Sequence, residues 1–94
     1  MEMHNPAHPG AVLKDTVLRK DGGISLTEFA KQLKIGRVGL SRVVNGRAGI
    51  SPELAIRLAA ALGTDARSWL NMQLNYDLWR AKKKARPKIQ RLAA

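Results

Sequence analysis

The sequence predicts an all-α domain of five short helices. Three observations carry that expectation. Apolar residues recur at helical spacing in each segment between loop signals. Three segment starts carry serine or proline, and four segments are followed by glycine. No apolar alternation with a period of two runs long enough to make a strand.

The first eight residues hold Pro6, are followed by Pro9 and show no periodicity, so 1–8 reads as a flexible arm. Pro9 suits the first turn of a helix, where its missing N–H costs nothing. Val12, Leu13, Val17 and Leu18 then give one apolar face, predicting a helix that ends near Lys20. Asp21-Gly22-Gly23 marks a loop. Ser25-Leu26-Thr27-Glu28 is a capping box that opens a second helix, with Phe29, Ala30 and Leu33 as its apolar stripe. After Lys34-Ile35-Gly36, a third helix is expected from about Arg37 to Val44, with Leu40 and Val43 or Val44 buried. Asn45-Gly46 ends it, glycine suiting a left-handed cap. Ser51-Pro52 starts the fourth, with a serine cap and proline in the first turn, and Gly63 stops it. Thr64 or Asp65 is expected to cap a last helix running to about Lys84, and Pro87 forbids its continuation.

The chain has 94 residues, 17 bases and 7 acids, a formal charge of +10. The charge is not spread evenly. Residues 80–94 hold seven bases and no acid. Residues 26–47 hold five bases against Glu28. The remainder is close to neutral. The chain divides into the arm 1–8, a domain over 9–84 and a basic tail over 85–94. A concentrated positive charge points to nucleic acid or an acidic partner.

Two short helices joined by a tight turn must cross steeply to bury Phe29, Ala30, Leu33, Ile35, Leu40 and Val43 together. Ala30 supplies the small side chain needed at the crossing, and Ile35 plugs the turn. An ordinary helical hairpin would share that core, so the exposed residues decide. Arg37, Val38, Ser41 and Arg42 present two guanidiniums, a hydroxyl and a small apolar group. Those groups fit a major groove: arginine pairs with guanine edges, and valine touches a thymine methyl. Thr27, Lys31, Asn45 and Arg47 are expected beside the phosphate backbone as positioning contacts.

This segment resembles the Cro/repressor-type helix-turn-helix family, which implies a compact lambda-repressor-like domain. The resemblance widens to the HigA-type antitoxins. Pro9-Gly10-Ala11-Val12-Leu13 looks like their opening, and Ile50-Ser51-Pro52-Glu53-Leu54-Ala55-Ile56-Arg57-Leu58-Ala59 looks like their fourth helix. Trp69-Leu70-Asn71-Met72-Gln73 with Tyr76-Asp77-Leu78-Trp79 resembles their fifth. The resemblance implies neutralisation of a HigB-type ribonuclease toxin. It further implies dimeric binding to a palindromic operator in double-stranded DNA, repressing the chain's own operon. The alternative is a stand-alone helix-turn-helix regulator without a toxin, or, in a different class, a helical module for an acidic protein or RNA. Three departures stand out: Ala11 where the family usually has glutamate, Lys34 where many relatives have glycine, and Gly36 where serine or threonine commonly caps the third helix. A left-handed Lys34 would carry a steric cost. Without the cap hydroxyl, one inferred phosphate interaction is missing, and Leu26 replaces a frequent glutamine.

On a helical wheel of the last helix, Trp69, Met72, Tyr76 and Trp79 fall on one side and Leu70, Leu74 and Leu78 on the other. One side can pack on the other helices, and the opposite side needs a cover. Trp69, Leu70, Leu74, Tyr76, Leu78 and Trp79 are therefore the candidates for a homodimer interface, with the face that dimerises left open. The basic tail reads equally as a solvated run or as an arm on DNA; a third reading, a toxin-binding segment, runs against the basic charge expected of a ribonuclease toxin.

Catalysis finds little support. His4 and His8 lie in the arm among prolines, which spoils their spacing as metal ligands. There are no cysteines, so no thiolate metal site. No glycine-rich phosphate loop follows a strand, so no cofactor is expected. The longest apolar run, Leu58 to Leu62, is far short of a membrane span, and no secretory signal opens the chain. The expected location is the cytoplasm.

Overall fold

A computed structural model describes residues 5–19 and 21–93 of the chain. Five helices follow in order: α1 Pro9–Thr16, α2 Leu26–Leu33, α3 Arg37–Val44, α4 Pro52–Leu62 and α5 Ala66–Lys82. No strand occurs among the described residues.

The caps act largely as the sequence predicts. Ser25 Oγ accepts the Glu28 N–H at 3.1 Å, and Ser51 Oγ accepts the Leu54 N–H at 3.1 Å. Each satisfies a donor that the first turn of a helix leaves free. Gly63 closes α4 in the left-handed region at φ 67°. Asp65 holds the cap position of α5, but no side chain caps its first amides. Thr64 turns its hydroxyl elsewhere, accepting from Trp69 Nε1 at 2.9 Å.

Two helix ends fall short of expectation. α1 ends at Thr16 rather than near Lys20, which lies outside the described residues. The chain folds back there: the Val17 carbonyl accepts from the Ile24 N–H at 3.0 Å instead of extending the helix. α5 ends at Lys82 rather than Lys84. The Lys83 and Lys84 amides donate three residues back, to the Arg80 and Ala81 carbonyls, which tightens the last turn.

The core runs through all five helices. Leu13, Leu40 and Leu58 are fully buried, and Phe29 is 1% exposed. α2 crosses α3, α4 packs on both α2 and α5, and α1 lies against α3 and α5. The α1–α3 approach is close enough to exclude a methyl group. A Cβ on Gly10 would collide with the Val43 carbonyl oxygen and lie 2.8 Å from Val43 C.

His8 departs from its place in a free arm. It caps α1, its Nδ1 accepting the Gly10 N–H at 2.9 Å, and it is 8% exposed. Its ring stands edge-on to Tyr76 with centroids 4.8 Å apart. A contact made across the fold, with a residue of α5, orders the end of the arm. Burial lowers the His8 pKa below its ordinary 6.5, and Arg80 adds to this; Asp77 and a backbone hydrogen bond to Ala48 oppose it. The unfolded chain therefore takes up a proton near pH 6.5 that the folded chain resists. The stabilisation is fully present above that pH and is lost as pH falls from there through the lower folded-state pKa. Protonation of Nδ1 also abolishes the cap. Urea unfolding should show stability dropping between pH 7.5 and 5.5, and His8→Asn, which keeps a capping oxygen without titrating, should flatten that drop. An unchanged pH profile in the variant would remove His8 as the cause.

Candidate nucleic-acid interface

The geometry of α2 and α3 begins at the turn between them. Lys34 adopts the left-handed conformation, φ 58° and ψ 45°, at the C-cap of α2. Its amide donates back to α2, and Ile35 N–H donates to Ala30 O at 3.1 Å. A residue with a Cβ carries a cost of about 1–2 kcal/mol in this region. The side chain is exposed, so nothing else requires lysine. Lys34→Gly should stabilise the domain by about 1 kcal/mol, read as a Tm rise of about 4–8 °C. A fall in Tm would show that the lysine stem contributes packing that the strain conceals.

Arg57 supports the turn from α4. Its Nη1 donates to the Leu33 carbonyl at 3.1 Å and the Lys34 carbonyl at 2.7 Å, and its Nε donates to Glu53 at 2.9 Å. Sequence spacing does not reveal this role. An Arg–Glu pair four apart reads as a surface salt bridge, and nothing local shows that its second edge reaches a carbonyl more than twenty positions away.

α3 then presents its polar face. Leu40, Val43 and Val44 are buried, which turns Arg37, Val38 and Arg42 outward. Val38 is 76% exposed, an apolar side chain left uncovered between two cations. Ser41 is half-buried rather than free. The Asn45 amide donates to its carbonyl at 2.8 Å and lies 3.4 Å from its hydroxyl. Asn45 is itself engaged: its Oδ1 accepts from Lys14 Nζ at 3.0 Å, tying the end of α3 to α1. Gly36 caps α3 without a side-chain hydrogen bond, and a Cβ there would meet nothing within 4 Å. Thr27 and Lys31 are exposed on α2, and Arg47 is exposed in the loop after α3. The one ion pair among the described residues is Arg57–Glu53, so neither Arg37 nor Arg42 is held by an acid.

That loop is anchored to α5 by Gln73, a second residue whose role sequence spacing does not reveal. Gln73 Oε1 accepts the Ile50 N–H at 2.9 Å, and its Nε2 donates to Asp77 at 3.0 Å. The side chain is 8% exposed and bonded at both its oxygen and its nitrogen, which offsets the cost of a buried amide. Gly49 leaves room for it, since a Cβ there would come within 3.1 Å of Gln73 Cδ.

The last helix separates the interface candidates. Trp69 is 5% exposed and belongs to the core, which withdraws it from the dimer set. It joins the core cluster, where its N–H donates to Thr64 Oγ1. Tyr76 is half-buried against His8, and half-buried Trp79 carries Lys83 Nζ 3.9 Å above its ring. Leu74 and Leu78 are 54% and 48% exposed, and Leu70 is half-buried one turn earlier. These leucines form an uncovered stripe along α5.

No helix of the described residues is long and apolar enough to cross a membrane. No group of three or more His, Cys, Asp or Glu side chains among them could hold a metal ion.

Residues 18–69 match the helix-turn-helix family model. Over 78 residues the chain is 44% identical to virulence-associated protein A' of Dichelobacter nodosus, covering 81% of this chain and 65% of that protein. A solved structure of the Pseudomonas aeruginosa antitoxin HigA with the higBA promoter superposes with a TM-score of 0.77 at 36% identity, over 83% of this chain and 84% of that one. The antitoxin GraA in complex with its operator superposes with a TM-score of 0.81 at 30% identity, over 100% of this chain and 97% of that one.

Proposed function

Because the chain belongs to the Cro/repressor-type helix-turn-helix family and resembles its HigA-type antitoxins, we propose that it is an operator-binding antitoxin that represses its own operon. The observation that carries the DNA reading is the outward face of α3. Arg37, Val38 and Arg42 stand free of acids and of the core, as a groove-reading surface requires. Antitoxin HigA with its promoter and GraA with its operator, both similar in fold to this chain, support the same partner, double-stranded DNA. The backbone-positioning residues are Thr27, Lys31, Asn45 and Arg47.

A palindromic operator needs two recognition helices about 34 Å apart, so the chain acts as a homodimer. The stripe Leu70, Leu74 and Leu78 is the face proposed for that contact; Tyr76 and Trp79 lie on the other side of α5, with Tyr76 against His8. The second role is neutralisation of a HigB-type ribonuclease toxin, carried in by likeness to HigA-type relatives. The protein works without catalysis or cofactor in the cytoplasm, where operator and toxin are found.

Footprinting of the promoter of its own operon tests the DNA role. The expected result is protection of two half-sites one DNA turn apart; protection of no palindrome defeats it. Co-expression with the product of the adjacent gene tests the antitoxin role. Rescue from a ribonuclease there supports it, and a non-toxic neighbour leaves a stand-alone regulator. Sedimentation should show a dimer that Leu74→Glu with Leu78→Glu converts to a monomer.

A further inference from the structure

We propose that the C-terminal run 80–94 is a second DNA-contacting element that follows the phosphates flanking the site read by α3. The proposal rests on the operator-binding reading above and adds a second surface to it.

The placement comes from the packing of the loop after α3. Gly46, Arg47, Ala48 and Gly49 border one cleft together with Gln73, Asp77 and Arg80 of α5. The Gln73–Ile50 hydrogen bond and the His8–Tyr76 edge contact hold that loop against α5. Arg47, in the loop after the recognition helix, and Arg80, in the last turn of α5, therefore border the same cleft. The Arg80 guanidinium is held over Tyr76, 5.7 Å from the ring centroid. The tail leaves α5 one turn beyond Arg80, on the side of the molecule where α3 ends.

The chemistry of the tail is one-sided. Asp77 is the last acid in the chain, and its carboxylate is already engaged by Gln73. Beyond it come seven cations with no acid among them. None of those described pairs with a carboxylate elsewhere in the fold. Residues 84–93 are exposed and form no helix. Arg86 donates back to the Ala81 carbonyl, which fixes the direction in which the tail starts. Extended, residues 83–94 reach about 40 Å. Phosphates repeat about every 3.4 Å along one strand, so the tail spans several of them. Residues 84–93 form no helix that would hold Arg86, Arg91 and Gln90 at fixed base edges, so the tail's contribution is affinity and salt dependence rather than sequence preference.

The test compares the full chain with the full-length variant Lys84→Gln, Arg86→Gln, Lys88→Gln, Arg91→Gln. Binding to an operator duplex is measured across a salt series, with thermal unfolding as a check that the helices are intact. The slope of log affinity against log salt falls by about 0.9 for each phosphate that the variant no longer neutralises. The expected result is a slope smaller by about two to four, with half-site preference and Tm unchanged. An unchanged slope overturns the proposal while leaving operator binding in place. A single-stranded RNA probe is run beside the duplex. Loss of RNA binding with an unchanged duplex slope assigns the tail to RNA and equally overturns it. If the full chain binds no duplex at any salt, the operator reading fails, and this proposal fails with it.

Discussion

Gly10→Ala should destabilise the domain by more than about 2 kcal/mol. An added Cβ would strike the Val43 carbonyl oxygen and lie 2.8 Å from Val43 C and 2.9 Å from Val44 Cα. All three obstacles are backbone of α3, so no side-chain rotation relieves them. Overpacking a core typically costs about 1–3 kcal/mol when side chains can adjust. Here α1 must move off α3, so a cost above about 3 kcal/mol is expected. Alanine's better helix propensity returns at most about 1 kcal/mol. The net loss should lower Tm by more than about 10 °C. Gly39→Ala is the matched control. It lies in the middle of α3, and a Cβ there meets nothing within 4 Å. That substitution should raise stability by about 0.5–1 kcal/mol. Equal Tm values for the two variants would show that α1 and α3 do not approach so closely.

The second large effect concerns binding. Arg37→Ala and Arg42→Ala should each weaken operator binding by about 1–3 kcal/mol, roughly 5- to 150-fold, if each pairs with a guanine edge. Neither arginine contacts the core or an acid, so the folded domain should melt at its original temperature. Loss confined to the operator, with binding to unrelated duplex retained, marks a base contact. A uniform loss on all duplexes, with the salt slope reduced by about one, marks a phosphate contact instead. Unchanged operator affinity in both variants would remove α3 as the reading element. The tail variant has the opposite signature, a changed salt slope with retained base preference. The two devices are therefore separable by measurement.

Much of the scaffold is legible in the chain itself. The caps at Ser25 and Ser51 and the left-handed stop at Gly63 are local arrangements, set by residues within a few positions of one another. The left-handed Lys34 is legible only through the resemblance, in which glycine usually holds that position; lysine by itself gives no sign of a positive φ. The outward face of α3 also follows from spacing: once Leu40 and Val43 are buried, Arg37, Val38 and Arg42 have no other direction.

What only the tertiary structure decided are contacts between residues distant in sequence. A helical wheel puts Trp69 and Leu74 on opposite sides of α5, but it does not say which side meets α4. The packing answers that, burying Trp69 and leaving Leu74 and Leu78 uncovered. His8 looks like part of an arm until Tyr76, far along the chain, supplies a ring for it to stand against. Gly10 looks like one more small residue near a helix start until α3 arrives at its Cα. Arg57 and Gln73 look like surface polar residues until their partners, the α2–α3 turn and the Ile50 amide, are brought beside them. Local hydrogen bonding and periodicity act within one helix, and so a single sequence determines the helices and their polar faces. Burial, close approach and shared clefts depend on where the other helices lie, and only the assembled fold determines those.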